Sequence, residues 1–204
     1  MKIEKQNIVI INYGAGNIKS IQFALKRLGY EGILSEDESV IRSANKVIFP
    51  GVGEASSAMQ KLRSTGLDKV IPSLTQPVLG ICLGMQLMCT SSKEGNTKGL
   101  GIFNVDVVKF SSEKKVPQIG WNTIENLKTK LFSTIAEASY MYTVHSYYAP
   151  SCTETIATTT YGISYSAALK KDNFYGVQFH PEKSSATGEV VLKNFLNLNE
   201  PTKS

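Results

Sequence analysis

The sequence predicts a single α/β domain over residues 1–204, with a mixed, largely parallel sheet and helices on both faces. Two observations lead to this fold class. Short apolar runs alternate along the chain with segments whose apolar residues recur at helical spacing. The composition, 42% hydrophobic and 19% charged over 204 residues, is that of an ordinary globular domain, and no internal repeat or linker interrupts it.

The first half of the chain alternates predicted strands and helices. Three apolar runs without polar alternation are predicted to be strands buried on both faces: Ile8–Ile11, Lys46–Phe49 and residues 77–81. Each run leads into a helical segment. Asn17 is placed to cap the first helix, which Gly29 ends; the second helix ends near Gly66, and the third covers residues 85–88.

The second half predicts further strands, and their connections are too short for parallel crossovers. The predicted strands are residues 102–110, 121–125, 140–145, 155–161, 166–170 and 174–179. Some of them are therefore expected to pair antiparallel. A last helix is predicted at residues 189–198, where Val191, Leu192 and Phe195 share one face.

Charge and hydrophobicity exclude several classes of protein. Lysine and arginine (22) exceed aspartate and glutamate (17) by 5, and the lysines are scattered, which favours a solvated surface over a nucleic-acid groove. No apolar run reaches the ~18 residues of a membrane helix or has the pattern of a signal peptide. We therefore expect a cytoplasmic protein with no nucleic-acid or membrane partner.

The cysteines are odd in number and lack the spacing of metal ligands: Cys82, Cys89 and Cys152. This pattern predicts free thiols in a reducing compartment, without a disulfide or a metal site. Cys89 follows Cys82 by seven residues and is predicted to share the buried face of one helix. Cys152 is interpreted as an incidental loop residue.

A candidate nucleophile lies where the third strand meets its helix, in the segment Gly80-Ile81-Cys82-Leu83-Gly84. Glycines two residues before and two after the cysteine allow the sharp turn known as a nucleophile elbow. The helix N-terminus then favours the thiolate form of Cys82. The alternative is a buried core cysteine, but a core strand gains nothing from the two flanking glycines.

A candidate base lies about a hundred residues further on, in the segment Gln178-Phe179-His180-Pro181-Glu182. Pro181 favours an extended conformation for His180, and residues two apart in an extended segment project to the same side. Glu182 is thus predicted to bind one ring nitrogen of His180 and to leave the other free for catalysis. The alternative is a histidine that merely pairs with an acid at a strand end.

Attack on a carbonyl group also requires hydrogen-bond donors for the oxyanion. Val52 and Gly53 follow the second strand, so their N–H groups are predicted to face the same cleft as Cys82. The N–H of Leu83, the residue after the nucleophile, is the second expected donor. A Gly-x-Gly turn alone is a weak signal, and its position at the carboxyl end of a strand supports this interpretation.

Together these motifs resemble those of the class I, or triad, glutamine amidotransferases, which have a flavodoxin-like fold. The resemblance covers essentially the whole chain and is strongest to members that act in histidine biosynthesis. Besides the two catalytic segments, it rests on Asn12-Tyr13-Gly14-Ala15-Gly16-Asn17, Pro50-Gly51-Val52-Gly53, Gly120-Trp121-Asn122 and Val144-His145-Ser146-Tyr147. One departure is Gln118, where these members commonly carry a histidine.

The resemblance implies a glutaminase with the following roles. Cys82 would attack the side-chain amide of glutamine, His180 would be the acid and base, and Glu182 would orient His180. The reaction would pass through a γ-glutamyl thioester and release glutamate and ammonia. It would need no metal and no organic cofactor.

Recognition of free glutamine requires contacts to its charged end. The residues expected to make them are Gly51, Gln86, Glu94, His145, Ser146 and Tyr147. Gln86 follows the nucleophile by four residues and lies on the same helix face. Two of these residues have an alternative interpretation that is about as well supported as contact with glutamine. Glu94 is a solvated loop acid in that alternative, and His145 is a structural or interface residue.

Ammonia released into neutral water is mostly protonated, so it must be passed on inside a closed interface. The resemblance implies a heterodimer with a (β/α)₈-barrel cyclase subunit, which would form imidazole glycerol phosphate and AICAR. Trp121 and Lys183 are assigned to that interface, and an ordinary exposed lysine is the alternative for Lys183.

Two other functions stay open from the sequence. The first is a glutaminase subunit of another biosynthetic synthase, against which the segments at residues 12–17 and 50–53 argue. The second is a non-catalytic binding module that kept the fold. The presence of Cys82, His180 and Glu182 argues against it.

Overall fold

The computed structural model describes residues 6–14 and 16–198. In its first half the elements are β1 (Ile8–Ile11), α1 (Ile18–Arg27), β2 (Gly32–Ser35), α2 (Glu38–Arg42), β3 (Lys46–Phe49), α3 (Ala55–Thr65), α4 (Leu67–Val70), β4 (Val78–Ile81) and α5 (Leu83–Leu87). Ala15, within the motif at residues 12–17, and the N-terminal residues 1–5 lie outside the described residues.

The second half contains mainly strands. They are β5 (Cys89–Ser92), β6 (Thr97–Lys98), β7 (Phe103–Lys109), β8 (Gln118–Ile124), β9 (Ser139–His145), β10 (Tyr147–Tyr148), β11 (Thr155–Thr160), β12 (Ser164–Lys171) and β13 (Phe174–Val177), followed by α6 (Ser185–Leu196). Among the described residues, none of the helices has the length and apolar character needed to cross a membrane.

Seven strands form the central sheet, in the order β11-β12-β13-β4-β3-β1-β2. From β13 to β2 the neighbouring strands run parallel, whereas β11, β12 and β13 pair antiparallel. The prediction of a mixed, largely parallel sheet is confirmed. The order also places β4, which ends at the candidate nucleophile, directly beside β13, which leads to the candidate base.

The sheet separates two apolar cores, because successive side chains of each strand point to opposite faces. In β1, Val9 and Ile11 pack with α2 and α3 in one core, whereas Ile8 and Ile10 pack with α1 and α6 in the other. Both faces are therefore covered by helices. This double burial explains why β1 and β3 lack polar alternation in the sequence.

Two smaller sheets lie beside the central one. One has four strands in the order β10-β7-β5-β6, and the other is an antiparallel ribbon of β8 and β9. The prediction that Cys89 lies on a helix face is wrong, since α5 ends at Leu87 and Cys89 begins β5, where it pairs with Phe103 of β7. Its side chain is nevertheless buried in the core.

Several predicted boundaries also differ from the structure. The side chain of Asn17 accepts a hydrogen bond from the Ser20 hydroxyl and caps no helix N–H group, so its predicted capping role is wrong. Strand β13 ends at Val177, before Gln178, and α6 begins at Ser185. Gly66 does end α3 as predicted, with a left-handed φ of 75°.

Candidate active site

A cavity of about 260 Å³ lies at the carboxyl ends of β3, β4 and β13. It is lined by Val52, Gly53, Cys82, Leu83, Gln86, Glu94, Pro117, Val144, His145, Ser146, Tyr147, His180 and Lys183. Most of the residues singled out from the sequence therefore meet in one place. Three of them do not line this cavity: Gly51, Trp121 and Glu182.

Cys82 occupies a strained turn between β4 and α5. Its backbone has φ 53° and ψ −111°, a conformation that L-residues rarely adopt and that is common at functional sites. The flanking glycines are required by close packing, because a Cβ on Gly84 would lie 2.0 Å from the Phe49 carbonyl oxygen and one on Gly80 2.9 Å from the Met85 nitrogen. The turn thus has the predicted elbow geometry.

His180 and Glu182 form a buried pair, with 2.9 Å between Nδ1 and Oε1. The predicted reason for their contact is wrong, because Glu182 lies in a 3₁₀ turn, Pro181–Lys183, instead of an extended segment. The ring of Pro181 suits the first position of such a turn. His180 itself is extended, and its backbone N–H donates to the Tyr142 carbonyl at 2.9 Å.

The neighbours of His180 favour its protonated form. Burial alone lowers the pKa of His180, but its acidic neighbours Cys82 and Glu182 outweigh burial and raise this pKa to about 10. The ring therefore carries a proton beside the sulfur of Cys82. Nε2, the nitrogen opposite Glu182, has no hydrogen-bond partner among the described residues.

The loop after β3 borders the same cavity. Val52 and Gly53 line it together with Leu83, and the N–H groups of these three residues meet no acceptor within the described part of the chain. Gly51, which does not line the cavity, is in close contact with α5. A Cβ there would lie 2.5 Å from the Gly84 nitrogen, so Gly51 allows the loop to pack against α5.

Gln86 and Glu94 both line the cavity. The Gln86 amide nitrogen donates to the Tyr147 carbonyl and to Gln178 Oε1, both at 2.8 Å. Glu94 accepts a hydrogen bond from the Ala55 N–H at 2.9 Å, and partial burial raises the pKa of its carboxyl group. Glu94 is thus anchored at the start of α3 instead of being a freely solvated loop acid.

Both ring nitrogens of His145 have polar neighbours. Nδ1 donates to the Tyr147 carbonyl at 2.8 Å, and Nε2 lies 3.2 Å from the Tyr165 hydroxyl. Burial lowers the pKa of His145 to about 4, so the ring is neutral at physiological pH. Its environment therefore favours the structural interpretation, although one edge of the ring borders the cavity.

The two residues assigned to an interface are exposed. Trp121 of β8 is 49% exposed and packs edge-on against Tyr142, and the Lys183 ammonium group lies 6.0 Å above the ring of the same tyrosine. Lys183 also lines the cavity, so the exposed surface formed by Trp121 and Lys183 reaches the rim of the cavity.

The sequence predicts no role for three polar residues beside the site: Gln118, Tyr165 and Gln178. Gln178 is buried and its amide nitrogen lies 3.7 Å from the Cys82 sulfur. The Tyr165 hydroxyl lies between His145 Nε2, at 3.2 Å, and Gln118 Oε1, at 3.0 Å, and its single hydrogen is donated to one of the two. The part of the chain that the structure describes contains no group of three or more acidic, histidine or cysteine side chains able to hold a metal ion.

Fold and site together are those of an α/β enzyme with a cysteine at a nucleophile elbow and a buried histidine–glutamate pair beside it. The chain belongs to the class-I glutamine amidotransferase family, whose model matches residues 9–198.

Two curated relatives illustrate the similarity at the level of sequence. Imidazole glycerol phosphate synthase subunit HisH of Bacteroides thetaiotaomicron is 55% identical over 194 residues, which cover 94% of this chain and 99% of that protein. The subunit of the same name from Yersinia pseudotuberculosis is 46% identical, with 94% and 100% covered.

Solved structures show the same fold at low identity. A glutamine amidotransferase from Thermotoga maritima matches with a TM-score of 0.61 and 16% identity, covering 95% of this chain and 83% of that one. The structure of PurLQS from the same organism matches with a TM-score of 0.71 and 16% identity over 95% and 98% of the two chains. At such identities the likeness concerns the fold alone.

Proposed function

We propose that this chain is the glutaminase subunit of imidazole glycerol phosphate synthase in histidine biosynthesis. It hydrolyses glutamine to glutamate and ammonia and passes the ammonia to a cyclase subunit. The observation that carries the proposal is the cavity lined by Cys82, by His180 with its buried partner Glu182 behind it, and by three residues whose N–H groups meet no acceptor among the described residues. The 55% identity to a subunit of that synthase supports the choice of pathway.

The geometry supports a covalent mechanism. The Cys82 thiolate attacks the side-chain carbonyl of glutamine, and the C=O electron pair moves onto oxygen, where the N–H groups of the Val52–Gly53 loop and of Leu83 stabilise it. His180 donates its Nε2 proton to the leaving nitrogen, so that the C–N bond breaks and ammonia departs. Neutral His180 then removes a proton from the water that hydrolyses the thioester, and glutamate is released.

Substrate recognition follows from the polar atoms that protein contacts leave free. Both amide hydrogens of Gln86 are already donated, so its Oε1 is the atom that accepts from the substrate ammonium group. Glu94 adds a negative charge on the same side of the cavity. The Ser146–Tyr147 segment supplies donors for the substrate carboxylate.

We assign the cyclase partner, a (β/α)₈ barrel in a heterodimer, to the exposed face of the β8–β9 ribbon. Three large apolar side chains are exposed there: Ile119, Trp121 and Tyr140. Such exposed apolar surface marks interaction sites. Lys183 joins this face to the cavity rim, and we place the complex in the cytoplasm.

The proposal is tested by separating the two half-reactions in the complex with the cyclase. Cys82→Ala is expected to abolish glutamine-dependent synthesis of imidazole glycerol phosphate and to leave ammonia-dependent synthesis within about twofold of wild type, because only the thiolate step uses this chain. Product formation is measured with each nitrogen source.

Cys89→Ser, at a cysteine buried outside the cavity, is the matched control and keeps glutamine-dependent synthesis. Failure of the wild-type chain to bind the cyclase would move the protein to another biosynthetic synthase. Glutamine-dependent synthesis by the Cys82→Ala complex would refute the assignment of the nucleophile.

A further inference from the structure

A continuous chain of hydrogen bonds ends at the sulfur of Cys82. It begins at the carbonyl of Tyr147, to which the Gln86 amide nitrogen donates at 2.8 Å. The second hydrogen on that nitrogen is donated to Gln178 Oε1, also at 2.8 Å. The Gln178 amide nitrogen then lies 3.7 Å from Cys82 Sγ, and both glutamines are buried.

The direction of this chain is fixed by its first member. A backbone carbonyl only accepts hydrogen bonds, so the Gln86 nitrogen must face Tyr147. Because the same nitrogen also faces Gln178, that side chain must present its oxygen to Gln86 and its nitrogen to the sulfur. The orientation of the Gln178 amide therefore follows from the hydrogen-bond network, and Cys82 receives a donor.

The sulfur has a second polar neighbour of opposite character. The Cys82 thiol donates to the Val144 carbonyl at 3.8 Å, a contact available only while the thiol keeps its proton. The Gln178 N–H is the contact that persists and strengthens when the sulfur becomes an anion, since hydrogen bonds to charged acceptors are stronger. The Val144 carbonyl therefore favours the thiol form of the sulfur, and the Gln178 N–H favours the thiolate form.

We propose that Gln178 is a positioning residue that holds Cys82 in its anionic, reactive state by donating a hydrogen bond to Sγ. This inference rests on the proposed glutaminase function. The same amide pair connects Sγ to Gln86, so the residue that receives the substrate ammonium group also fixes the donor to the nucleophile.

Other ionisable groups that face Cys82 are few. His180, from the turn after β13, is the main cation and is itself paired with Glu182. Tyr13, from the loop after β1, donates its hydroxyl hydrogen to the Pro50 carbonyl; burial, with a smaller contribution from the charge of Cys82, raises its pKa beyond the physiological range. Tyr13 is therefore neutral, and a change at Gln178 acts on a thiolate balanced mainly by His180.

The test is the pH dependence of Cys82 alkylation by iodoacetamide in the full chain, with mass spectrometry locating the modified cysteine. In Gln178→Glu one carboxylate oxygen still accepts from Gln86 and the other faces the sulfur. We expect alkylation at pH 7 to slow about tenfold and the midpoint of the pH profile to rise by about one unit. A profile identical to that of wild type would overturn the proposal.

A second variant keeps the test decisive if Gln178→Glu does not fold. Gln178→Met has similar volume and no donor, and we expect a smaller shift in the same direction; an unchanged profile in this variant overturns the proposal equally. The matched control is Gln76→Glu, at a buried glutamine whose amide donates to the Ile41 carbonyl, outside the cavity. This variant is expected to lose thermal stability and to keep the wild-type alkylation profile.

Kinetics in the cyclase complex separate the two proposals. The Gln178 variants are expected to lower kcat for glutamine more than they change KM, because Gln178 acts on the nucleophile. A wild-type complex that hydrolyses no glutamine would refute the proposed function. The alkylation profiles of the free chain would still decide the role of Gln178.

Discussion

At the residue scale, the two histidines differ in the groups that surround their ring nitrogens. His180 has acidic partners on both sides, Cys82 and Glu182, which raise its pKa to about 10 despite burial. His145 has only a carbonyl and a hydroxyl as neighbours, and burial lowers its pKa to about 4. At neutral pH only His180 therefore has a proton on both nitrogens and is able to donate one to a leaving group.

Replacement of His180 tests this division. His180→Asn is expected to lower the glutaminase kcat in the cyclase complex by about 10³-fold or more, the scale found when one triad member is removed. Glu182→Gln is expected to cost less, because it keeps a hydrogen-bond acceptor for Nδ1. Wild-type turnover in the His180→Asn complex would instead assign the base to His145.

The lowered pKa of His145 makes folding stability depend on pH. The unfolded chain binds a proton at this histidine below pH ~6.5, whereas the folded chain binds it only below about pH 4. Between these values the unfolded state holds more protons, so the free energy of unfolding falls as the pH is lowered, by about 3 kcal/mol at most.

Urea unfolding at pH 7, 5.5 and 4 measures this loss. His145→Gln, which keeps a donor for the Tyr147 carbonyl, is expected to be less stable at pH 7 but to show a flatter pH dependence. The same slope in this variant and in wild type would show that other groups cause the acid sensitivity.

At the scale of the elements, the turn from β4 into α5 requires glycine, with no side chain, on both sides of Cys82. Gly84→Ala would place a Cβ 2.0 Å from the Phe49 carbonyl oxygen. Because backbone must shift to relieve that contact, we expect the free energy of unfolding to fall by about 3 kcal/mol and glutaminase activity to disappear.

The control is Gly66→Ala at the end of α3, where φ is positive, unlike at Gly84, but a Cβ meets no atom within 4 Å. It is expected to cost about 1 kcal/mol for the left-handed conformation and to leave activity unchanged. A loss in urea unfolding for Gly84→Ala no larger than that for Gly66→Ala would show that the contact with the Phe49 carbonyl oxygen is relieved at little cost.

The difference between buried and exposed elements explains which of them can be predicted from the sequence. Strands β1 and β3 are predicted to the residue because burial on both faces leaves only apolar residues. Strand β2 is an edge strand with Ile33 and Leu34 exposed, and α2 has only five residues, so neither leaves a periodic pattern. Local pattern also fails at Cys89, where pairing with β7 overrides helical spacing.

The candidate site shows a similar limit. Cys82 and His180 are recognised as candidates from the sequence because of their neighbours. The flanking glycines allow a sharp turn at Cys82, and Pro181 restricts the backbone of His180. Gln178 and Cys82 are 96 residues apart, and no spacing rule connects an amide to a sulfur over that distance. The contact exists only because β13 pairs with β4, which is a property of the sheet order.

At the scale of the whole molecule, the β8–β9 ribbon is the surface on which the proposed partner binds. Trp121 is the only tryptophan and is 49% exposed, so its fluorescence reports contact with the cyclase directly. Trp121→Ala is expected to weaken the complex at least tenfold, because central aromatic residues contribute much of the binding energy of an interface.

Isothermal titration with the cyclase measures this effect. Phe23→Ala removes an aromatic side chain that is 62% exposed on α1, outside the ribbon, and is the matched control with unchanged affinity. Equal affinities for wild type and Trp121→Ala would place the interface elsewhere on the molecule.

The pairing of β13 with β4 has a consequence for the kinetics of refolding. Val177 lies beside Ile81 in that pairing, and all the chain between them must be accommodated before the two strands meet. Contacts distant in sequence form slowly, whereas β8 and β9 adjoin in sequence and pair antiparallel. A refolding chain therefore forms the β8–β9 ribbon before the pairing of β13 with β4 that assembles the candidate active site. The delay between the Trp121 fluorescence change and the return of Cys82 reactivity measures the time that β13 takes to dock.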